Sequence, residues 1–195
     1  APVNEKIVLD IAIKDKASYL ILPVAQNRSF AMAFQLLSEG QEVSRLTKDN
    51  SLAKQGSFAI KINAKNRQAL QNKLTENNVF AVYADGKIEG LAKLNEPKIG
   101  LIETWNHDMD AGWLRHVMDN HGIPFQLIRP DGLKTLDLST FDVLIFPSSS
   151  KDILLTGKRK GASGDYSPSS LPPEYVVGME KEGLKRVMEF VQDGG

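Results

Sequence analysis

The sequence predicts an α/β protein with an open parallel sheet carrying helices on both faces, preceded by a smaller α/β domain. Two observations carry this prediction. Residues 97–195 run strand, helix, strand, strand and helix, the order of parallel strands joined by crossover helices. Residues 1–96 alternate shorter strand and helix signals and end at KLNEPK, which is typical of a linker. We therefore expect domains at 1–96 and 97–195.

The first domain is expected to alternate short strands with two helices. Its strand candidates are apolar or alternating runs: KIVLDIAIK (Lys6–Lys14), SYLILPV, EVSRL, GSFAIKI and VFAVYADG. The segment NRSFAMAFQLLSEG predicts a helix, because apolar residues recur at i, i+3, i+4 and i+7, namely at Phe30, Ala33, Phe34 and Leu37. The polar segment AKNRQALQNKLTENN predicts a mostly solvated helix with Leu70 and Leu74 on one face.

The second domain has clearer signals. KIGLIE, PFQLIRP and FDVLIFP are strand candidates, and the last is apolar throughout, as in a strand buried on both faces. Helices are expected at 110–120, with Leu114, Val117 and Met118 buried and Trp113 packed on the sheet edge, and at about 180–192. Ser148 to about Pro173 is rich in Ser, Gly, Lys and Pro and predicts a solvated loop over the sheet end.

The sheet of the second domain is expected to be incomplete. The sequence stops at a helix end, where a fold of this kind places its next parallel strand. Three strands would leave an open, half-built sheet. The first domain, or a second copy in a homodimer, is the alternative source of the missing neighbour.

Composition excludes several classes of function. The chain has 195 residues, 42% hydrophobic and 25% charged, with 24 basic and 24 acidic side chains, as in a globular domain. No basic stripe of the kind that neutralises phosphates is present, so no nucleic-acid partner is expected. No apolar run reaches the roughly 18 residues of a membrane helix. The absence of cysteine rules out disulfides, thiolate zinc sites and a cysteine nucleophile.

A candidate ligand site follows from the ends of two predicted parallel strands. Ligands of open parallel sheets bind outside the carboxyl ends of the strands. After KIGLIE comes TWNHD, and after FDVLIFP comes a run of three serines. We expect these segments to face one crevice, with an aromatic stacking surface and polar contacts, and the candidate ligand-binding residues are Trp105, His107, Asp108, Asp110, Ser148 and Ser149. The alternative is a capped loop that holds a partly buried tryptophan.

Catalytic and metal motifs are not found. His116 and His121 lie five residues apart, roughly 140° around a helix axis, so they do not share a face as zinc ligands would. The segment IETWNHDMDAGWLRHVMDNHG is explained better as a helix start, with Asp108 or Asp110 as the N-cap. The motif GxSxG is absent around the serine run, and no GxxxxGK[ST] or GxGxxG occurs. No catalytic residue and no metal ligand are therefore predicted in this chain.

The chain nevertheless resembles a known arrangement from Pro97 onward. The segments are PKIGLIETWNHDMDAGWLRHVMDNHGIPF, FDVLIFPSSS, ILLTG and PPEYVVGMEKEGLKRVMEFVQDGG. They resemble the flavodoxin-like, glutamine-amidotransferase-like domain at the C-terminal end of large bacterial zinc carboxypeptidases of the carboxypeptidase A-like superfamily. The matching positions are Asp110, Gly112, Trp113, Arg115, Pro147, Pro173, Glu174, Tyr175, Gly178 and Gly183. The first half resembles the segment that links the peptidase to that domain.

The resemblance implies a non-catalytic accessory region of a secreted metallocarboxypeptidase. The zinc ligands and glutamate base of such enzymes lie upstream, and no position here corresponds to them. Glutamine amidotransferases use a cysteine after the next strand, which this chain lacks. By resemblance, zinc belongs to the parent peptidase domain, that domain is the partner, and the location is periplasmic or on the cell surface. The alternative is a stand-alone module that binds a small molecule, sugar or peptide in the crevice near Trp105.

Overall fold

The computed structural model describes residues 12–106 and 108–195, and it divides the chain into two compact units. The N-terminal unit runs to Glu96 and takes in His121–Ile123, and the C-terminal unit comprises Pro97–Asn120 and Pro124–Gly195. Each unit contains one sheet, five-stranded in the first and three-stranded in the second. The protein is therefore mixed α/β.

The N-terminal unit is built on an antiparallel sheet. Its elements are β1 (Tyr19–Leu22), α1 (Asn27–Ser38), β2 (Val43–Leu46), β3 (Phe58–Lys61), α2 (Arg67–Asn77), β4 (Val82–Ala84) and β5 (Leu91–Lys93). The sheet order is β4-β1-β3-β2-β5, and every pair of neighbours is antiparallel. Most of the predicted elements are present. Strand β5 is an additional strand that was not predicted, and most of the strand expected at Lys6–Lys14 lies outside the described residues.

Only the last residues of that expected strand lie in the described ranges. Residues 12–14 belong to no strand, and Lys6 to Ile11 lie outside the described residues. The predicted apolar face of α1 is also displaced. Met32 and Leu36 are fully buried beside Ala33, whereas Phe30 and Phe34 are half-buried. The helix therefore packs through a face centred on Met32 and Leu36, and both phenylalanines lie on one side of that face.

Both faces of this antiparallel sheet are covered. Side chains alternate across a strand, so Leu20 and Leu22 of β1 point to one face and Ile21 to the other. The first face carries the larger core, with Leu36 from α1 and Leu70 from α2. The second face carries a smaller cluster that includes Ile88 from the segment between β4 and β5.

The C-terminal unit is built on a parallel sheet, as predicted. Its elements are β6 (Ile99–Ile102), α3 (Met109–His121), β7 (Gln126–Ile128), β8 (Val143–Ile145), α4 (Lys151–Thr156) and α5 (Glu180–Gln192), with short 3-10 turns at Pro130–Lys134, Leu138–Thr140 and Pro173–Tyr175. The order is β7-β6-β8, with β6 in the centre and parallel to both neighbours. The core lies between this sheet, the 3-10 turns, α4 and α5.

Three local predictions in this unit were wrong. Strand β8 is not buried on both faces, because it lies at an edge of the three-stranded sheet and Val143 is 41% exposed. The predicted loop from Ser148 contains helix α4, which Ser150 caps by accepting a hydrogen bond from the Ile153 amide. In α3 the predicted burial holds for Met118 only: Leu114 is half-buried, and Val117 and Trp113 are exposed.

A close backbone approach fixes the segment between the third 3-10 turn, Pro173–Tyr175, and α5 against α4. The amide of Met179 donates to the carbonyl of Leu154 at 2.9 Å. A Cβ atom on Gly178 would lie 2.4 Å from the carbonyl carbon and oxygen of Leu155, so only glycine fits there. Gly157, which ends α4, has a φ of +71° and approaches Val177 equally closely. These contacts hold residues 177–179 against the C-terminal end of α4.

Candidate functional site

A cavity of about 620 Å³ opens at the carboxyl ends of β6 and β8, and we call it the strand-end crevice. Because these two strands are parallel, the segments that follow them emerge at the same edge of the sheet. Its described lining comes from three segments: Thr104, Asp108, Met109 and Asp110 after β6; Ser148, Ser149, Ser150, Asp152 and Ile153 after β8; and Arg159 and Lys160 beyond α4. Its volume lies within the usual range of small-ligand sites.

The structure brings four of the six sequence-predicted residues to this crevice. Asp108 and Asp110 lie on one wall, and Ser148 and Ser149 lie on another. Trp105 is not part of this lining. His107, the remaining candidate, lies outside the described residues. The crevice itself is where the carboxyl-end rule places it.

Asp108 joins the start of α3 to the crevice. One carboxylate oxygen, Oδ1, accepts from the Ala111 amide at 3.4 Å, which is a long N-cap hydrogen bond. The other, Oδ2, is buried and has no hydrogen-bond partner within the described ranges. Burial raises the pKa of Asp108, and the nearby charges of Asp110 and Glu103 act in the same direction, against the Ala111 hydrogen bond. Because Oδ2 is buried, Asp108 forms part of the crevice wall without offering this oxygen to a ligand.

The remaining charges of the crevice divide into a paired set and an unpaired set. Lys160 and Asp152 form an ion pair at 3.3 Å. Asp110 and Arg159 have no hydrogen bond or ion pair from their side chains to any other described residue, and no ion pair joins them to each other. As far as the described residues show, the Asp110 carboxylate and the Arg159 guanidinium are therefore available to a ligand.

A small hairpin positions Arg159. The Ser167 amide donates to the Arg159 carbonyl at 2.8 Å, and an antiparallel bridge joins Lys160 to Tyr166. The ammonium groups of Lys158 and Lys160 lie 5.9 and 5.2 Å from the Tyr166 ring centroid. The sequence reasoning placed a solvated loop over the crevice but missed Arg159, Lys160 and Asp152 as lining residues. The available signal was the basic run KRK between two glycines.

Trp105 lies in a different environment from the one expected. The guanidinium carbon of Arg129 lies 3.9 Å from the Trp105 ring centroid, and the Tyr175 ring lies 4.6 Å away. Arg129 also donates to the carbonyls of Glu103 and Thr104, at 3.2 and 2.8 Å, and pairs with the Glu103 carboxylate. The indole therefore makes intramolecular stacking contacts that hold the segment between β6 and α3.

Trp105 also lines a smaller neighbouring cavity of about 260 Å³. Its walls include Asn106, Gly157 and the segment Ser167, Pro168, Ser169, Ser170 and Leu171. Arg159 lines this cavity as well as the strand-end crevice. The side chain of Arg159 therefore separates the two spaces, and a ligand in the larger one meets a guanidinium rather than the indole.

Residues 12–106 and 108–195 contain neither a cluster of metal ligands nor a helix suited to crossing a membrane. No group of three or more His, Cys, Asp or Glu side chains converges in a way that would hold a metal ion. None of the helices there combines the length and the apolar character that crossing a bilayer requires.

Comparison of the chain with models of protein families, with curated proteins and with solved structures finds no match.

Proposed function

We propose that the C-terminal unit binds a small polar ligand in the strand-end crevice and does not transform it. The observation that carries this proposal is the lining: the opposite charges of Asp110 and Arg159, which have no partner among the described residues, face one cavity of about 620 Å³. Serine hydroxyls lie beside them, but no described lining residue is a histidine or cysteine that would activate a nucleophile. A lining that can bind a polar ligand but holds no activated nucleophile among the described residues suits recognition rather than catalysis.

Filling the crevice tests this proposal. A thermal-shift screen of amino acids, short peptides and monosaccharides is expected to find a ligand that stabilises the C-terminal unit. At 100 times its Kd, a ligand adds about 2.7 kcal/mol, which raises the Tm of a unit of this size by roughly 10 °C or more. The variant Ser148→Phe places a large ring in the crevice at an exposed position and is expected to remove the shift.

The matched control is Ser163→Phe, which adds the same ring at an exposed serine outside the described crevice lining. This variant should keep the full ligand-induced shift. A shift that survives in Ser148→Phe would place the ligand elsewhere and would contradict the proposal.

The same unit, in this proposal, is an accessory part of a secreted zinc-carboxypeptidase-like protein, with the peptidase domain as partner and zinc bound there. A flavodoxin-like, glutamine-amidotransferase-like domain has a further parallel strand beside β8. Two observations favour such a neighbour. Strand β8 is an exposed edge, and the apolar residues Leu184, Met188 and Val191 form an exposed stripe on α5 beside its buried face. The reading frame around this sequence tests it: an upstream HxxE with a later histidine supports the assignment, and a frame without them overturns it.

A substitution in the exposed stripe tests the sheet extension directly. Met188 is 54% exposed, so Met188→Gln should change the free energy of unfolding of residues 1–195 by no more than about 0.5 kcal/mol. In the full-length parent the same change should cost about 1.5 kcal/mol, because there the side chain is covered. Lys185→Gln, on the solvated side of α5, should be nearly neutral in both. Equal effects of Met188→Gln in the two proteins would contradict the extension.

A further inference from the structure

The strand-end crevice separates unlike charges instead of pairing them. Asp108 and Asp110 belong to the segment that leads into α3, whereas Arg159 belongs to the hairpin after α4. Lys160 is already neutralised by Asp152 at 3.3 Å. Asp110 and Arg159 therefore present opposite charges from two walls of one cavity, each without a partner among the described residues. A ligand that satisfies both must carry both signs of charge.

We propose that the ligand is a zwitterion of the amino-acid class, an unblocked short peptide, whose ammonium group meets Asp110 and whose carboxylate meets Arg159. This inference rests on the proposed function of the crevice. Ammonium groups donate three hydrogen bonds, and the exposed carboxylate of Asp110 can accept them. A guanidinium matches the planar geometry of a carboxylate and binds it through two parallel hydrogen bonds.

Simpler ions fit this lining less well. An inorganic anion at Arg159 would share the cavity with Asp108, Asp110 and Asp152, and like charges repel. A metal cation would need converging carboxylates, and none converge within the described residues. A metal cation would also leave the guanidinium of Arg159 without an anionic partner.

The size of the crevice favours a peptide over a single small ion. About 620 Å³ corresponds to roughly 20 molecules of liquid water at ~30 Å³ each. The hydroxyls of Ser148 and Ser149 can bond to a peptide group between the two charged ends. Met109 and Ile153 add apolar surface for a side chain. The lining therefore offers a complement to each part of a short peptide.

Calorimetric titration with three related probes tests the proposal. L-alanyl-L-alanine carries both charges, its N-acetyl derivative lacks the ammonium, and its C-terminal amide lacks the carboxylate. Residues 1–195 are expected to bind the dipeptide, and to bind each blocked probe about tenfold or more weakly. Equal binding of all three would overturn the zwitterion while leaving the crevice as a ligand site. Binding of none would also overturn it, and the crevice-filling variant then decides on the crevice separately.

Two substitutions test which side chain binds the carboxylate of the dipeptide and which binds its ammonium group. Arg159→Gln is expected to weaken the dipeptide about tenfold but to leave the affinity of the C-terminal amide unchanged, because that probe has no carboxylate to lose. Asp110→Asn is expected to weaken the dipeptide but not the N-acetyl probe. Lys181→Gln and Asp165→Asn, at exposed residues of the same unit that are not in the described crevice lining, are the controls. Loss of affinity for all three probes in Arg159→Gln would overturn the assigned roles.

Discussion

Replacing Gly178 with alanine is expected to destabilise the C-terminal unit by about 3 kcal/mol. The added Cβ would lie 2.4 Å from the carbonyl of Leu155 and 2.5 Å from the amide nitrogen of Thr156, so backbone rather than a side-chain tip must move. Overpacking costs about 1–3 kcal/mol, and the upper end applies when backbone is displaced. Both tryptophans, Trp105 and Trp113, lie in this unit, so urea unfolding followed by tryptophan fluorescence measures the loss.

The matched control is Gly112→Ala in α3, where a Cβ atom would meet nothing within 4 Å. Alanine is favoured over glycine inside a helix, so this variant should be more stable than the parent by about 0.5–1 kcal/mol. Wild-type stability of Gly178→Ala would show that α4 and the 176–178 segment are not in close contact.

Replacing Arg129 with leucine is expected to cost about 3 kcal/mol and to change the emission of Trp105. Hydrogen bonds to charged groups contribute about 1.5–3 kcal/mol, and a stacked guanidinium adds about 0.5–2 kcal/mol. Arg129 supplies both, because it donates to the carbonyls of Glu103 and Thr104 while lying 3.9 Å from the indole centroid. Denaturant unfolding and steady-state fluorescence are the two readouts.

Arg115→Leu is the control for the loss of a positive charge near Glu103. Arg115 contacts the same carboxylate at 3.3 Å, but its side chain is 45% exposed and reaches neither backbone carbonyl. An exposed pair of this kind contributes about 0.5 kcal/mol. Equal losses from the two arginine variants would mean that the charge on Glu103, and not the fixed segment between β6 and α3, is what Arg129 stabilises.

Most long elements of the fold could be predicted from sequence, whereas short ones could not. Helix α1 repeats apolar residues over several turns, helix α2 places Leu70 and Leu74 one turn apart on one face, and such spacing is a local property. Strand β5 is the tripeptide Leu91–Lys93, too short and polar to stand out. Helix α4 has six residues, although its capping signals, Ser150 before it and Gly157 after it, are present in the sequence.

The burial of β8 and α3 was predicted wrongly for a different reason. An apolar run shows that a strand prefers contact with other apolar surface, but it does not show which neighbours are present. Among the described strands β8 pairs only with β6, and Val143 is exposed at that edge. Trp113 and Val117 are exposed although their type and spacing suit a core. Strand order and helix orientation are tertiary properties that a single sequence does not encode locally.

The residues of the candidate site were likewise predicted only in part. The two strand-end segments, which contribute Asp108, Asp110, Ser148 and Ser149, follow from a general rule about parallel sheets. Arg159 and Lys160 were missed because the hairpin that returns them to the crevice depends on contacts with Tyr166 and Ser167. The expected exposed stacking role of Trp105 assumed a free face, but Arg129, 24 residues further along the chain, stacks on the indole.

The most direct test of the account is an NMR titration of ¹⁵N-labelled residues 1–195 with L-alanyl-L-alanine. We expect the largest amide shift changes on the three lining segments, at Asp108, Ser149, Ile153 and Arg159. These changes should disappear in Ser148→Phe. Changes that concentrate in the five-stranded sheet of the N-terminal unit or on the exposed stripe of α5, or that persist in Ser148→Phe, would contradict it.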